Sequence, residues 1–158
     1  MGKRSPIRNQ KAKGGVMKNI VVFDLDGTLA DCSQRIHHIL KEKKDWDSFF
    51  KDCLSDKPIQ HMIGLPKLFG TQYKVVIVTG RSDIAKEETE IWLKENDVYY
   101  DSLYMREQGD HTDDDVLKLK MVESFKEKIL FVFEDRNRVV KMWRDAGIPC
   151  FHVAEGDF

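Results

Sequence analysis

Two carboxylates, Asp24 and Asp26, stand two positions apart directly after the apolar run 20–23. If the extended chain continues through them, both side chains lie on one face, because residues i and i+2 of a strand do so. Two acids so close repel each other unless a cation or a shared proton offsets their charge. A hard divalent ion with oxygen ligands, most simply Mg²⁺, meets that demand. The alternative is an ordinary surface turn, since Asp and the following Gly27 are turn formers.

Two further apolar runs predict buried strands, and each also ends in polar residues. The run 73–78 precedes Thr79-Gly80-Arg81, and the run 129–133 precedes Glu134-Asp135. Because the carboxyl ends of parallel strands meet at one edge of a sheet, we expect these residues to join the first pair of acids there. The acids then form an oxygen-rich cation site, and the threonine hydroxyl can bind a phosphoryl oxygen. A lysine of the segment 116–120 can offset the remaining negative charge.

The segments between these runs predict the helices of an α/β fold, since apolar residues recur in most of them at helical spacing. The predicted helices cover 35–43, 46–50, 58–68, 83–96 and 139–146, and further extended segments cover 98–105 and 149–153. Another predicted helix runs through Leu117, Met121 and Phe125, and the acidic region 110–115 caps it. Asp45 or Asp47 can cap the second helix, and Pro66 is expected to kink or break the third. Strands that alternate with helices indicate a doubly wound parallel sheet with right-handed crossovers.

Length and composition narrow the class of protein. The 158 residues suffice for one domain with a proper core, expected over 17–158. Residues 1–16 hold several basic residues and no acidic one, which predicts a disordered basic tail. A formal net charge of −1 argues against a protein that binds nucleic acid through its overall charge. No apolar run approaches the roughly 20 residues that span a bilayer.

The cysteines and the amino-terminal sequence bear on location. The three cysteines are odd in number and lack the spacing of metal ligands, which predicts reduced thiols. No secretory signal pattern is visible either. We therefore expect a cytoplasmic protein without a membrane anchor.

The polar set resembles the motifs of the haloacid dehalogenase superfamily, whose phosphatases use an aspartate nucleophile. The matching positions are Asp24-x-Asp26-x-Thr28, then Thr79, then Lys118 or Lys120, and last Glu134-Asp135. The resemblance covers nearly all of residues 18–158. It implies a Rossmann-like sheet, and because neither 29–72 nor 82–116 has room for a substantial inserted domain, a minimal helical cap or none.

Several longer phrases are similar to the phosphatase domain of phage polynucleotide kinase-phosphatases. They cover 78–81, 106–110, 114–118, 139–144 and 153–158. The phrase Asp-Asp-Val-x-Lys ends at Lys118 and therefore favours it over Lys120. That family has Asp where this chain has Glu134, which makes Asp135 the firmer expected metal ligand. No Gly-x-x-x-x-Gly-Lys-Ser/Thr motif occurs, so we expect no kinase half and no use of ATP.

The resemblance implies a role for each matched residue. Asp24 would attack phosphorus to form an aspartyl-phosphate. Asp26 would protonate the leaving oxygen and later accept a proton from water, which requires surroundings that keep one carboxyl neutral. Thr79 and Lys118 would hold the phosphoryl oxygens. Mg²⁺ would be held by Asp24, Asp135, Glu134 and the main-chain carbonyl of Asp26.

Other residues have two readings. Arg81, Arg106 and Arg136, with Gly80, are candidate substrate contacts, since guanidinium groups bind phosphate with two donors, but each arginine can equally form a surface salt bridge. We interpret His37 and His38 as surface residues and the aromatic residues Trp46, Phe49, Phe50 and Trp143 as core.

The expected substrate is a phosphorylated nucleic acid end, because an open site suits a large substrate and the phage relative removes 3′-phosphates from polynucleotides. One alternative is a phosphatase of nucleoside monophosphates, which an open cleft also admits. The other is a catalytically inactive nucleic-acid-binding module, against which the full set of motifs argues.

Overall fold

The computed structural model describes residues 15–156, so the predicted basic tail lies outside the described part except for its last two residues. The strands are β1 (Ile20–Phe23), β2 (Ala30–Asp31), β3 (Lys57–Pro58), β4 (Lys74–Ser82), β5 (Ser102–Arg106), β6 (Ile129–Glu134) and β7 (Cys150–His152). The α-helices are α1 (Trp46–Lys51), α2 (Leu65–Phe69), α3 (Lys86–Glu95), α4 (Asp114–Met121) and α5 (Asn137–Asp145). Within the described residues, four short 3₁₀ helices accompany them, at Ser33–His38, Asp52–Ser55, Asp83–Ala85 and Lys126–Lys128. None of the helices within 15–156 has the length and apolar character needed to cross a membrane.

Five strands form one parallel sheet in the order β5-β4-β1-β6-β7. Helices cover both faces of the sheet, and alternate residues of the central strand β1 point to these two faces. Val22 packs in one buried cluster with Trp143 of α5, whereas Phe23 packs in a second cluster with Trp92 of α3. The doubly wound α/β fold predicted from the sequence is confirmed.

The strand β4 is longer than the sequence predicts and carries part of the site. The apolar run ends at Val78, but the strand continues through Thr79 and Arg81 to Ser82. Ser82 pairs with Arg106 of β5 beyond an irregularity in the register that begins at Val78. The polar residues after the apolar run are therefore held by the sheet rather than by a loop.

The chain between β1 and α2 differs most from the prediction. The helix expected over 35–43 is wrong, because a 3₁₀ helix covers Ser33–His38 and the chain then bends. The apolar residues of this segment do not pack against the core. Leu40 is 78% exposed, whereas Arg35 is the buried residue of the 3₁₀ helix. Helical spacing stabilises a helix only where the apolar side packs against other residues.

The predicted helix over 58–68 is wrong in its first part. Lys57–Pro58 pairs with Ala30–Asp31 in a small antiparallel sheet, and α2 begins only at Leu65. Pro66 lies in the first turn of α2, where its missing N–H is not needed, so it helps to start the helix instead of breaking it. The helix predicted through Leu117, Met121 and Phe125 forms as α4, with two acids of the region 110–115 in its first turn, but it ends at Met121, four residues before Phe125.

The predicted short helix at 46–50 is confirmed as α1. The Asp45 carboxylate caps it by accepting a hydrogen bond from the main-chain N–H of Ser48 at 3.1 Å. Phe49 is buried as predicted, but Trp46 is 44% exposed and stacks on Phe50, so its assignment to the core is wrong. With six residues, α1 is the longest α-helix between β1 and β4, which agrees with a minimal cap.

Candidate active site

Asp24 lies at the carboxyl end of β1, and its side chain is almost fully buried. Its Oδ1 is 2.8 Å from Nζ of Lys118 on α4, and its Oδ2 accepts a hydrogen bond from the Thr28 hydroxyl at 3.2 Å. The Asp24 main-chain N–H donates to the Phe133 carbonyl at 3.0 Å, which ties the end of β1 to β6. The structure thus brings together motifs that lie 94 residues apart in the chain.

Lys118 is buried among three carboxylates. Besides Asp24, its Nζ lies 2.9 Å from Oε2 of Glu134 and 3.5 Å from Oδ2 of Asp114. Burial alone would lower the pKa of the ammonium group, but the carboxylates outweigh it and hold that pKa well above its ordinary value. Lys120 is exposed. The structure therefore places Lys118, and not Lys120, beside Asp24.

Three buried carboxylates gather at this edge of the sheet. Asp24, Glu134 and Asp135 each offer an oxygen atom, and these atoms lie within 4.8 Å of one another. Burial, together with the negative charge of Asp24, raises the pKa of Asp135 to about 7 and the pKa of Glu134 well above its usual range. Lys118 offsets only part of this negative charge, so the cluster fits a divalent cation with oxygen ligands.

Asp26 does not join that cluster, because its side chain turns toward two arginines. Its Oδ1 lies 2.8 Å from Nη2 of Arg35 and 2.5 Å from Nη2 of Arg81, while its Oδ2 accepts from Nε of Arg81 at 3.2 Å. Burial would raise the pKa of Asp26, but Arg81 and Arg35 outweigh it and hold the pKa below the ordinary 3.8. The expectation of surroundings that keep this carboxyl neutral is therefore wrong.

Sequence reasoning missed Arg35 and Asp56, which complete the surroundings of Asp26. Both side chains are fully buried, and Nε and Nη2 of Arg35 each lie 2.7 Å from an oxygen of Asp56. Arg35 also donates from Nη1 to the main-chain carbonyl of Phe49 at 2.7 Å, and its guanidinium lies 4.5 Å from the centre of the Phe49 ring. No local pattern marks either residue, because their partners lie in other parts of the chain.

Two glycines allow close approach to acidic side chains. Gly27 has φ of +83°, and a Cβ there would lie 2.1 Å from Oδ2 of Asp135. A Cβ at Gly80 would lie 2.0 Å from Oδ1 of Asp114. The structure therefore explains by packing why a glycine occupies position 80, since a larger residue would displace the Asp114 carboxylate that lies near Lys118.

The remaining predicted residues border the site in different ways. Thr79 is buried on β4, and its hydroxyl oxygen accepts from the main-chain N–H of Arg81 at 3.1 Å. Arg106 donates mainly to main-chain carbonyls, including those of Gly80 at 2.9 Å and Thr112 at 2.6 Å. Arg136 is about one-third exposed and lies 3.3 Å from Oδ2 of Asp114. Arg81 faces Asp26, and Arg106 and Arg136 flank the Asp114 side of Lys118.

Cys32 lies near the site, but its thiol is too weakly acidic to act as a nucleophile. Burial, followed by the charge of Asp26, raises the pKa of Cys32 to about 12. A thiol with such a pKa stays protonated at neutral pH. The candidate groups at this edge are therefore the carboxylates, Lys118, the arginines and the Thr79 hydroxyl.

The comparison with protein families identifies the class. The family described as the polynucleotide kinase PNKP phosphatase domain matches residues 18–158, which is almost the whole chain. The chain belongs to this family of haloacid dehalogenase-type phosphatases, as the sequence motifs indicated. It is therefore a phosphatase.

One curated relative is a protein of Autographa californica nuclear polyhedrosis virus, named as a bifunctional polynucleotide kinase/RNA ligase. It is 30% identical over 145 residues, and the match covers 86% of this chain. The chain spans only 19% of that protein's length.

Solved structures agree with the fold. A chain of the Pnkp1/Rnl/Hen1 RNA repair complex has a TM-score of 0.76 and 28% identity, over 98% of this chain and 48% of that one. A phosphatase from Clostridium difficile has a TM-score of 0.60 and 16% identity, over 84% and 83% of the two chains. A haloacid dehalogenase-like hydrolase from Streptococcus pneumoniae has a TM-score of 0.58 and 16% identity, over 84% and 82%. The last two similarities concern the fold alone.

Proposed function

We propose that this chain removes 3′-phosphates from polynucleotide ends in a Mg²⁺-dependent reaction that passes through an aspartyl-phosphate on Asp24. The observation that carries this proposal is the buried Asp24 carboxylate, 2.8 Å from Lys118, with Asp26 two residues away between two arginines. One residue offers a nucleophile and the other a site for proton transfer. We further propose that residues 17–158 form one phosphatase domain.

The first step is the transfer of the phosphoryl group to Asp24. An oxygen of Asp24 forms the bond to phosphorus while the bond to the leaving oxygen breaks. Lys118 offsets the charge on Asp24 and, with the Thr79 hydroxyl, stabilises the charged oxygens of the phosphoryl group. The leaving oxygen of a nucleoside is strongly basic, so it must gain a proton as it departs.

Asp26 is the proposed proton donor in that step. Its carboxyl is ionised in the surroundings described above, because Arg81 and Arg35 lower its pKa. A phosphate that binds nearby adds negative charge opposite the same arginines, which raises the pKa of Asp26. Asp26 then carries a proton when substrate is bound, donates it to the leaving oxygen, and as a carboxylate takes a proton from the water that attacks the aspartyl-phosphate.

The carboxylates of Asp24, Glu134 and Asp135, with the main-chain carbonyl of Asp26, are the proposed ligands of Mg²⁺. Bound there, Mg²⁺ supplies positive charge that neutralises the phosphoryl group during transfer. Burial, followed by the negative charge of Asp24, raises the pKa of Asp135 to about 7, and a cation bound beside this carboxyl would favour its ionised form. No part of this scheme requires ATP.

The substrate class rests on the relatives and on the openness of the site. The described insertion after β1 contains only short helices, and the Asp26 side chain remains 21% exposed. A related structure belongs to an RNA repair complex, so RNA ends are included among the proposed substrates with DNA ends. Arg106 and Arg136 are the proposed contacts to the strand beyond the phosphate. The three cysteines are free, which supports a reducing compartment such as the cytoplasm.

The test compares phosphate release from matched oligonucleotides that carry a 3′-phosphate or a 5′-phosphate, as RNA and as DNA, alongside free nucleoside monophosphates. We expect release from the 3′-phosphates with Mg²⁺ and none after chelation. Asp24→Asn is expected to lower the rate by at least about 1,000-fold, because it removes the nucleophile but keeps the shape.

The outcomes separate the alternatives. Preference for monophosphates would replace the polynucleotide proposal with a role in nucleotide metabolism. Full release by Asp24→Asn would show that Asp24 is not the nucleophile. Tight binding of oligonucleotides without any release would favour a catalytically inactive binding module.

A further inference from the structure

A cluster of two histidines and one aspartate lies on the insertion after β1. His38 ends the 3₁₀ helix Ser33–His38, and Asp52 begins the 3₁₀ helix that follows α1. One ligand atom each from His37, His38 and Asp52 lies within 4.8 Å of the other two. We propose that these residues form a second metal site, which takes a transition-metal ion such as Zn²⁺. The proposal does not depend on the phosphatase reaction.

The His37 ring is oriented by its own helix. Its Nδ1 lies 2.9 Å from the main-chain carbonyl oxygen of Gln34. Because a carbonyl oxygen only accepts hydrogen bonds, Nδ1 carries the proton and Nε2 keeps its lone pair. Metal-binding histidines are commonly fixed in this manner, with one ring nitrogen bonded to a carbonyl and the other directed at the ion.

The two histidine rings lie side by side. Their centres are 4.0 Å apart, although neighbouring residues of a helix normally point in different directions. The Asp52 carboxylate contacts Nε2 of His38, so a negative charge completes the group. Because a carboxylate only accepts hydrogen bonds, Nε2 of His38 carries the proton of this contact. An ion that binds between the three side chains would take the place of that proton, which leaves to solvent, and would contact His38 and Asp52 in place of their hydrogen bond.

Gln34 holds the two halves of the cluster together. Its carbonyl orients His37, and its side-chain Nε2 donates to the main-chain oxygen of Asp52 at 3.3 Å and to Oδ1 of Asp56 at 3.0 Å. The donor atoms therefore come from two segments that are already tied to each other. Such a preformed arrangement lowers the cost of ordering ligands around an ion.

The donor types distinguish this site from the one at the sheet edge. Two imidazoles and one carboxylate suit Zn²⁺ and leave a fourth tetrahedral position for water. The cluster of Asp24, Glu134 and Asp135 offers only oxygen atoms, which suits Mg²⁺. An ion bound to His37, His38 and Asp52 would also link the two segments that hold Arg35, and so stabilise the arginine that contacts Asp26.

The test is calorimetric titration of Zn²⁺ into the full chain after removal of metals, with saturating Mg²⁺ present throughout. We expect one saturable equivalent of Zn²⁺. His37→Gln and Asp52→Asn should each weaken its binding by at least about tenfold, because each removes one of three ligands. His61→Gln is the matched control, since His61 is exposed and lies outside the cluster, and it should bind Zn²⁺ as the unaltered chain does.

Either of two results would overturn the proposal. One is the absence of saturable Zn²⁺ binding by the unaltered chain. The other is binding that persists unchanged in both His37→Gln and Asp52→Asn, which would place the ion at other groups, such as the thiols. Circular dichroism of the variants verifies that weaker binding does not come from unfolding.

Discussion

At the scale of single residues, Asp26 and Asp135 lie in opposite electrostatic surroundings. Two arginines hold the pKa of Asp26 below its ordinary value, whereas burial and the nearby Asp24 raise the pKa of Asp135 to about 7. Folding therefore favours the ionised form of Asp26 and disfavours the ionised form of Asp135. The raised pKa of Asp135 lowers the free energy of unfolding at pH values above the ordinary pKa of aspartate. Such a loss of stability is expected at a site that is arranged to bind a cation.

The first residue-scale prediction concerns Asp135→Asn. The amide removes a buried negative charge that repels Asp24, so without Mg²⁺ at pH 8 the variant should be more stable by on the order of 1 kcal/mol. The gain should shrink as pH falls from about 7 toward 4, because the unaltered carboxyl is then protonated in the folded protein. Thermal denaturation over this pH range measures the effect.

The same variant should lose activity while it gains stability. We expect phosphate release to fall by at least about 100-fold, because a proposed ligand of the cation is lost. Asp145→Asn provides the control, since Asp145 is exposed and paired with Lys141, and should change stability and activity little. A less stable Asp135→Asn protein at pH 8 would contradict the prediction.

A second prediction compares two lysines on α4. Lys118→Met leaves the carboxylates of Asp24 and Glu134 without their buried partner, which should cost about 3–5 kcal/mol of the free energy of unfolding. Lys120→Met, at an exposed position, should change that energy by less than about 0.5 kcal/mol. Urea denaturation of both variants checks this difference, and equal losses would refute it.

At the scale of elements, the continuation of β4 beyond its apolar run determines where Thr79 and Arg81 lie. Sequence patterns found the strands β1, β4 and β6 because their apolar residues form unbroken runs. They missed the polar end of β4, whose pairing with β5 depends on residues far along the chain. They also assigned a helix to 35–43, because spacing alone does not reveal that Arg35 is the buried residue.

Gly80 provides the prediction for this element. A Cβ there would lie 2.0 Å from Oδ1 of Asp114, whose carboxylate is held by Arg106, Lys118 and Arg136. Because Asp114 cannot move without losing these contacts, Gly80→Ala should cost about 1–3 kcal/mol. Denaturation measurements provide the value.

The control for that substitution is another glycine. A Cβ at Gly64, before α2, would have no heavy atom within 4 Å other than those of Gly64 itself and its two neighbours in the chain. Gly64→Ala should therefore change the free energy of unfolding by less than about 0.5 kcal/mol. If Gly80→Ala were as stable as Gly64→Ala, Asp114 would be free to shift, and the packing argument would fail.

At the scale of the whole molecule, binding of the cation should couple stability to pH. Mg²⁺ requires ionised carboxylates, and Asp135 ionises only as pH rises through about 7. At 100 times its dissociation constant, a ligand adds about 2.7 kcal/mol, which corresponds to roughly 5–10 °C in Tm for a chain of this size. Mg²⁺ should therefore raise Tm more at pH 8 than at pH 6.

Calorimetry with and without Mg²⁺ at the two pH values measures this coupling. Ca²⁺ extends the test, since it offers the same charge with a larger radius and looser geometry. Equal shifts at both pH values, or a full shift in Asp135→Asn, would place the stabilising ion elsewhere.

The sequence by itself determined the type of fold and the edge of the sheet at which the candidate site residues gather. Runs of apolar residues predicted the parallel strands, and the polar residues after them predicted a shared edge that holds Asp24, Thr79 and Asp135. Lys118 was singled out from the other lysine of its segment by the resemblance to the phage phosphatase domain. These inferences succeed because strand burial and the alignment of parallel strand ends follow from local patterns and general rules of topology.

Only the tertiary structure decided which carboxyl group has a lowered pKa, Asp26, and which has a raised one, Asp135. Arg35 and Arg81 contact Asp26 at hydrogen-bond distances, and Asp56 pairs with both arginines, although 55 residues separate Asp26 from Arg81. A pKa depends on burial and on distances of a few ångströms between charges. Neither quantity is written in the spacing of residues along the chain, so the charge of Asp26 follows from the folded structure.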